Sequence, residues 1–324
     1  LIQHLDGDRS LVRLVANTRE KQSNGLFAPR LIDVDNDGKV DVAYAGDLQG
    51  QLWKFDLTGP SDADWGVSAW NGSGVACRES AACQPFFVAV DNATPAQRQA
   101  ITTTPLWLAH PLGGIQLMFG TGRHLQLSDA ADAQVQTIYS VWDKSGYQQT
   151  KGRLTVLDDG AQIGAKVTRD VLVRQEVGGT LPRNEHLDDS TAPELSYTTE
   201  HTVPYTRGVG AATKRGWFLD LPQPRERVLQ APVYFEGQKA IIASVAPADV
   251  NAGESCEGAI LEDGHWLTVL NMISGWSSAT PVFGVAATAA GAQRISRMRV
   301  KAPEFITLPG SSNRLDLISV RNGT

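Results

Sequence analysis

The sequence predicts an all-β fold, a modified or incomplete β-propeller of four-stranded antiparallel blades with loop insertions. Three observations carry this expectation. Apolar residues come in short runs of β-branched and aromatic side chains punctuated by Gly, Asp, Asn and Pro, and no long window keeps a 3.6-residue period. A unit consisting of a strand, a Gly-containing turn and a strand ending in an aromatic residue and Asp recurs imperfectly. With 42% hydrophobic residues and eight Trp among 324 residues, the chain also has the material for a large packed core.

In chain order, strands are expected at 40–44, 51–57, 116–120, 137–142, 216–221, 233–235, 239–245 and 266–270, each bounded by turn-forming residues. The fullest repeat unit is Ala43-Tyr44-Ala45-Gly46-Asp47-Leu48-Gln49-Gly50-Gln51-Leu52-Trp53-Lys54-Phe55-Asp56. At roughly 40 to 50 residues per blade, the chain would hold about five to seven blades. One helical stretch is expected, of one or two turns over 94–100, because Thr94 suits an N-cap and Pro95 the first helical position. The expected organisation is a single propeller-like domain over 1–324. Within it a blade at about 24–57 carries an acidic loop, followed by a Cys-containing insertion at about 58–100. Further blades fall at about 101–182 and 207–324, separated by a polar insertion at about 183–206.

A net charge of −6 with no cluster of Lys and Arg excludes the basic stripe that phosphate neutralisation needs, so no nucleic-acid partner is expected. No run of 18 apolar residues occurs, so no transmembrane segment is expected. The chain opens on Leu1 and a polar stretch, which we read as a fragment or mature form of an exported protein. Cys77 and Cys83 lie six positions apart in a Gly/Ser-rich stretch, a spacing that lets a disulfide staple a surface loop; two unpaired thiols are the alternative. Cys256 is left over.

The chemistry-bearing motif is Asp33-Val34-Asp35-Asn36-Asp37-Gly38-Lys39-Val40-Asp41. Asp33, Asp35, Asp37 and Asp41 occupy positions 1, 3, 5 and 9 of this turn, and Lys39 offers its backbone carbonyl at position 7. Calcium takes six to eight oxygen ligands, and alternate side chains of a tight loop can converge on one ion. Without a cation, four carboxylates so close repel one another. Tyr44 stands where an EF-hand needs a bidentate carboxylate, and the flanks read as strands, so a strand-loop-strand site is expected. All-oxygen ligation disfavours zinc and copper. Such loops resemble those on the blades of integrin-type propellers, where calcium rigidifies a hairpin.

No zinc-protease pair, nucleophile elbow or phosphate loop occurs, and the six His are scattered. Gly120-Thr121-Gly122-Arg123-His124 is the best enzymatic suspect, but Gly-Thr-Gly after an apolar run is ordinary hairpin chemistry. No catalytic residue is assigned, and the chain is read as a binding protein rather than an enzyme. The rival classes are a quinoprotein-like propeller dehydrogenase, which a cofactor absorbance scan would reveal, and an integrin-like carbohydrate or matrix binder, although no Arg-Gly-Asp occurs.

The run from Asn24-Gly25-Leu26 through the acidic loop to Trp53-Lys54-Phe55-Asp56 resembles the C-terminal β-propeller domain of PilY-type type IV pilus biogenesis factors, the tip-associated adhesins. Downstream support comes in order from Phe119-Gly120-Thr121-Gly122-Arg123, Ile138-Tyr139-Ser140-Val141-Trp142-Asp143, Gly216-Trp217-Phe218-Leu219-Asp220-Leu221-Pro222 and Glu226-Arg227-Val228-Leu229. The resemblance implies calcium on Asp33, Asp35, Asp37, Asp41 and the Lys39 carbonyl. It further implies an extracellular place at the pilus tip or outer membrane surface, minor pilins of the tip complex as partners, and adhesion to a host or abiotic surface. Calcium-dependent control of pilus extension and retraction, and hence of twitching motility, is implied as well. The family's earlier propeller strands and variable N-terminal region are not in this sequence, and 248–258 resembles a degenerate form of its Cys- and Gly-containing stretch.

Overall fold

The computed structural model describes residues 1–5, 7, 9–16, 22–68, 83–150, 153–157, 167–181, 195–207, 213–248, 263–278, 282–283, 295–300, 304–306 and 316–318. A short ladder of β1 (Ile2–Gln3) and β2 (Leu11–Val12) precedes a first sheet of β3 (Arg30–Ile32), β4 (Val42–Gly46), β5 (Gln51–Asp56), β6 (Gly66–Val67) and β7 (Phe87–Val88). The next strands are β8 (Leu106–Ala109), β9 (Ile115–Gly120), β10 (Thr137–Asp143), the hairpin β11 (Gly146–Thr150) and β12 (Arg153–Leu157), and β13 (Val173–Gln175). They are followed by β14 (Val177–Leu181), β15 (Leu195–Thr198), β16 (Gly216–Asp220), β17 (Val233–Phe235), β18 (Lys239–Ala246), β19 (Gly264–Asn271) and β20 (Ile295–Val300). A last ladder pairs β21 (Glu304–Ile306) with β22 (Asp316–Ile318).

Among the described residues, three large sheets form, and each contains a four-stranded antiparallel blade with added strands. The first is β3-β4-β5-β6, with β7 also paired to β5. In the second, β8, β9, β10 and β16 form the antiparallel unit, and β13 adds in parallel. The third runs β17-β18-β19-β20 and is widened by β15 and β14. Strands of the two expected ranges 101–182 and 207–324 are exchanged between sheets: Gly216–Asp220 joins the second sheet, while Val177–Leu181 joins the third. The polar stretch at 183–206 likewise contributes a strand, Leu195–Thr198, whose Ser196 and Thr198 are buried. Polar composition hid it because its pairing with β20 supplies what its side chains do not.

Period-2 alternation stacks the blades. Val42 and Tyr44 of the first sheet meet Leu117, Phe119, Tyr139 and Phe218 of the second in one core. The opposite face of the second sheet sends Met118, Ile138, Trp217 and Leu219 against Ala240, Ile242 and Leu270 of the third. Ala43, Trp53 and Phe55 build a further cluster on the far face of the first sheet.

The helical turns expected over 94–100 do not form, and Arg98 instead bridges to Val90. The Asp91 carboxylate accepts the amides of Ala93 and Gln97 at 3.1 and 2.8 Å. Gln99 turns fully inward, its amide nitrogen donating to Thr137 Oγ1 and its oxygen accepting from the Tyr139 hydroxyl, each at 2.8 Å. These contacts fix an extended segment and override the local N-cap signal.

The turn between β8 and β9 holds His110, 5% exposed. Its ring stacks on Trp142 at 4.1 Å and meets Tyr205 edge-on at 4.6 Å. Nδ1 accepts the Leu112 amide at 3.1 Å, and Nε2 has no hydrogen-bond partner among the described residues. Burial, and then the charge of Arg207, push the imidazole down to about 4. Because the folded state resists protonation, this group contributes stability that is complete above the unfolded value near 6.5. That contribution falls by about 1.4 kcal/mol per pH unit, or about 3 kcal/mol in all, as pH drops to about 4. A His110→Phe variant, melted in chelator from pH 7.5 down to about 4, should lack this component; slopes identical to wild type would refute it.

Candidate metal centre

The acidic loop connects β3 to β4, and its ends are closed by the Asp41 amide donating to the Ile32 carbonyl at 2.9 Å. Val34 turns inward and packs on the core between the first two sheets, so the neighbouring aspartates face outward by alternation. Asn36 and Gly38 take φ values of 60° and 89°, which wind the chain tightly between them. A Cβ at Gly38 would meet nothing within 4 Å, so the conformation rather than space calls for glycine there.

Backbone amides hold the carboxylates. Asp33 Oδ1 accepts from the Asp37 amide at 3.2 Å and its Oδ2 from the Gly38 amide at 2.8 Å. Asp35 Oδ1 accepts from the Asp37 amide at 3.1 Å, and Asp37 Oδ1 from the Lys39 amide at 2.8 Å. One carboxylate oxygen from each of Asp33, Asp35 and Asp37 lies within 4.8 Å of the others. Asp41 is buried and turns Oδ2 to the Val34 amide at 2.7 Å, outside that trio. Burial raises the Asp41 carboxyl above its ordinary value; the Val34 hydrogen bond opposes this, and the charges of Asp35, Asp33 and Asp37 add to it.

Lys39 Nζ lies 2.9 Å from Asp37 Oδ2 on an exposed side chain. Its hydrogen bond lowers the Asp37 carboxyl, and Asp37 in turn raises the ammonium. From a distant part of the chain, Gln149 Nε2 donates to Asp35 Oδ2 at 3.3 Å. The donor set is thus hard oxygen, pre-arranged by amides and short of positive charge, which fits a calcium ion. Asp33, Asp35 and Asp37 would hold it, with Asp41 turning an oxygen inward and Lys39 yielding Asp37.

Cys83 is buried on the far face of the first sheet and is disulfide-bonded, while Cys77 and Cys256 lie outside the described residues. In the suspected catalytic stretch, Thr121 Oγ1 accepts the Thr137 amide at 2.8 Å, and Arg123 pairs with Asp129 at 3.1 Å. Both act as hairpin supports. Sequence reasoning placed Asp47 in a repeat without giving it a role. It is fully buried, with Oδ1 accepting the Gln49 and Gln51 amides and Oδ2 accepting Trp53 Nε1 at 2.8 Å and Asn24 Nδ2 at 2.7 Å. The Asp-X-X-Gly turn six residues before a Trp was the available signal.

Stacked four-stranded antiparallel blades, the first with an acidic loop between β3 and β4, define a β-propeller domain. The chain belongs to the PilY1 β-propeller domain family, which matches it over residues 1–176. It is 33% identical over 284 residues to the type IV pilus biogenesis factor PilY1 of Pseudomonas aeruginosa PAO1, an alignment covering 85% of this chain and 23% of that protein. A PilY1 homolog of Xylella fastidiosa Temecula1 is 28% identical over 258 residues, covering 78% of this chain and 14% of that protein. The crystal structure of the Pseudomonas aeruginosa PilY1 C-terminal domain superposes with a TM-score of 0.69 at 26% identity, over 96% of this chain and 63% of that one. This chain therefore spans about a quarter of the length of the Pseudomonas relative. No helix among the described residues is long and apolar enough to cross a membrane.

Proposed function

We propose that this chain is the calcium-binding propeller of a type IV pilus biogenesis factor and acts at the pilus tip or outer cell surface. Its partners would be minor pilins, and its roles the control of extension and retraction, twitching motility and surface adhesion. The observation that carries the calcium part is the amide-pinned convergence of Asp33, Asp35 and Asp37 within 4.8 Å. The pilus part rests on relatives that are named type IV pilus biogenesis factors.

Bound calcium would supply the positive charge that the four carboxylates lack. Asp33, Asp35 and Asp37 would then hold the loop in one conformation, and Val34 would stay seated between the blades. With carboxylates alone, mutual repulsion loosens the loop and the surface beside it. The test is calcium titration by calorimetry and thermal melting, with magnesium as control, on wild type and an Asp35→Ala/Asp37→Ala variant. One saturable calcium site is expected, absent from the variant, with about 2.7 kcal/mol of added stability at a hundredfold excess over Kd. A folded wild-type chain that takes up no calcium would reduce the loop to an acidic turn.

A further inference from the structure

We propose that the hairpin of β11 and β12 is the element whose seating the cation site controls, and that Gln149 is the positioning residue that joins them. This rests on the calcium reading. The hairpin forms a two-stranded sheet of its own, paired to none of the three blades. Among the described residues no ladder ties it to a blade, so its side-chain contacts bear on where it lies.

Two of those side chains stand on one face, since Tyr147 and Gln149 are two residues apart on a strand. Tyr147 enters the core between the first two sheets, the same core into which the acidic loop inserts Val34. Lys54 Nζ lies 6.0 Å from the centre of its ring. With Tyr147 seated, Gln149 reaches across 114 positions of sequence to Asp35 Oδ2 at 3.3 Å. The strand thus packs Tyr147 on the core that Val34 also joins and sets Gln149 on a proposed ligand.

A hydrogen bond to the second oxygen of a ligating carboxylate orients the first, and such outer partners commonly matter to metal affinity by tenfold or more. Gln149 contributes that bond only while the hairpin is seated, so cation binding and hairpin seating each favour the other by one common factor.

The experiment pairs calorimetry with calcium and hydrogen–deuterium exchange of 146–157, on wild type, Gln149→Ala and Gln148→Ala. Gln148 is exposed on the opposite face of the same strand and serves as the control. Calcium should slow exchange in the wild-type hairpin and in Gln148→Ala. Gln149→Ala should bind calcium on the order of tenfold more weakly and lose that protection. Undiminished affinity in Gln149→Ala, or hairpin exchange in wild type indifferent to calcium, would overturn the coupling and leave the cation site standing. Absence of calcium heat from wild type would overturn both.

Discussion

Lys54→Met should destabilise the protein by about 3 to 5 kcal/mol in urea denaturation at pH 7, because it strands a buried carboxylate. Lys54 Nζ lies 2.7 Å from Asp143 Oδ2, and the two side chains are 1% and 2% exposed. The pair ties the first sheet to the second. Tyr44 donates its hydroxyl to the same oxygen at 2.5 Å, the Ser145 amide donates to Oδ1 at 2.9 Å, and Lys54 Nζ also donates to Ser145 Oγ at 2.7 Å. Burial alone would push the Asp143 carboxyl up. The Lys54 charge and these hydrogen bonds outweigh it and hold the group at about 2.

In wild type this pair therefore contributes stability that is present above the unfolded value near 3.8 and is lost as pH falls through about 2. Lys54→Met reverses the sign. Burial then dominates, the Asp143 value rises above 3.8, and the variant should recover stability relative to wild type as pH is lowered from 7 toward 4. Adding Asp143→Leu should restore much of the loss at pH 7, since an apolar pair of similar volume often replaces a buried ion pair without penalty. A single-variant loss below about 1 kcal/mol would mean that water reaches the pair.

Trp217→Ala should lower stability by about 3 to 5 kcal/mol, the range for emptying a buried indole site. Trp217 is fully buried and belongs to the core between the second and third sheets. Its Nε1 donates to the Met272 carbonyl at 3.0 Å, across that interface. That carbonyl also accepts the Ser140 hydroxyl at 2.6 Å, so it keeps a partner in the variant. The loss is therefore one of packing. Trp217→Phe should retain more than half of the stability at issue, and Gly275→Ala should disturb the same spot from the other side. Gly275 has φ 74°, and a Cβ there would fall 2.8 Å from the Trp217 ring. Urea denaturation of the three variants, with near-ultraviolet circular dichroism as the tertiary signal, checks the order. A Trp217→Ala loss within 1 kcal/mol of wild type would show that the two blades do not depend on this contact.

The strands and the loop were legible because both are written locally. Val42-Ala43-Tyr44-Ala45 alternates its faces, and the structure sends Val42 and Tyr44 to one core and Ala43 and Ala45 to another. The 1-3-5 spacing of Asp33, Asp35 and Asp37 likewise places three carboxylates on one side of a tight turn. The segment 94–100 departs from its local signal for the complementary reason. Its Thr-Pro start satisfies a helix N-terminus, but Gln99 is claimed by Thr137 and Tyr139 from a strand about forty residues away.

What the sequence alone determined is the all-β class, the repeating blade unit and the acidic loop, since alternation, turn residues and carboxylate spacing act over a few neighbouring positions. Only the tertiary structure decided that Gly216–Asp220 completes the second blade and that Lys54 finds Asp143. Those outcomes depend on which distant segments share one desolvated interface. Burial there makes a hydrogen bond or charge pair between remote residues obligatory, and no pattern within either segment encodes its partner.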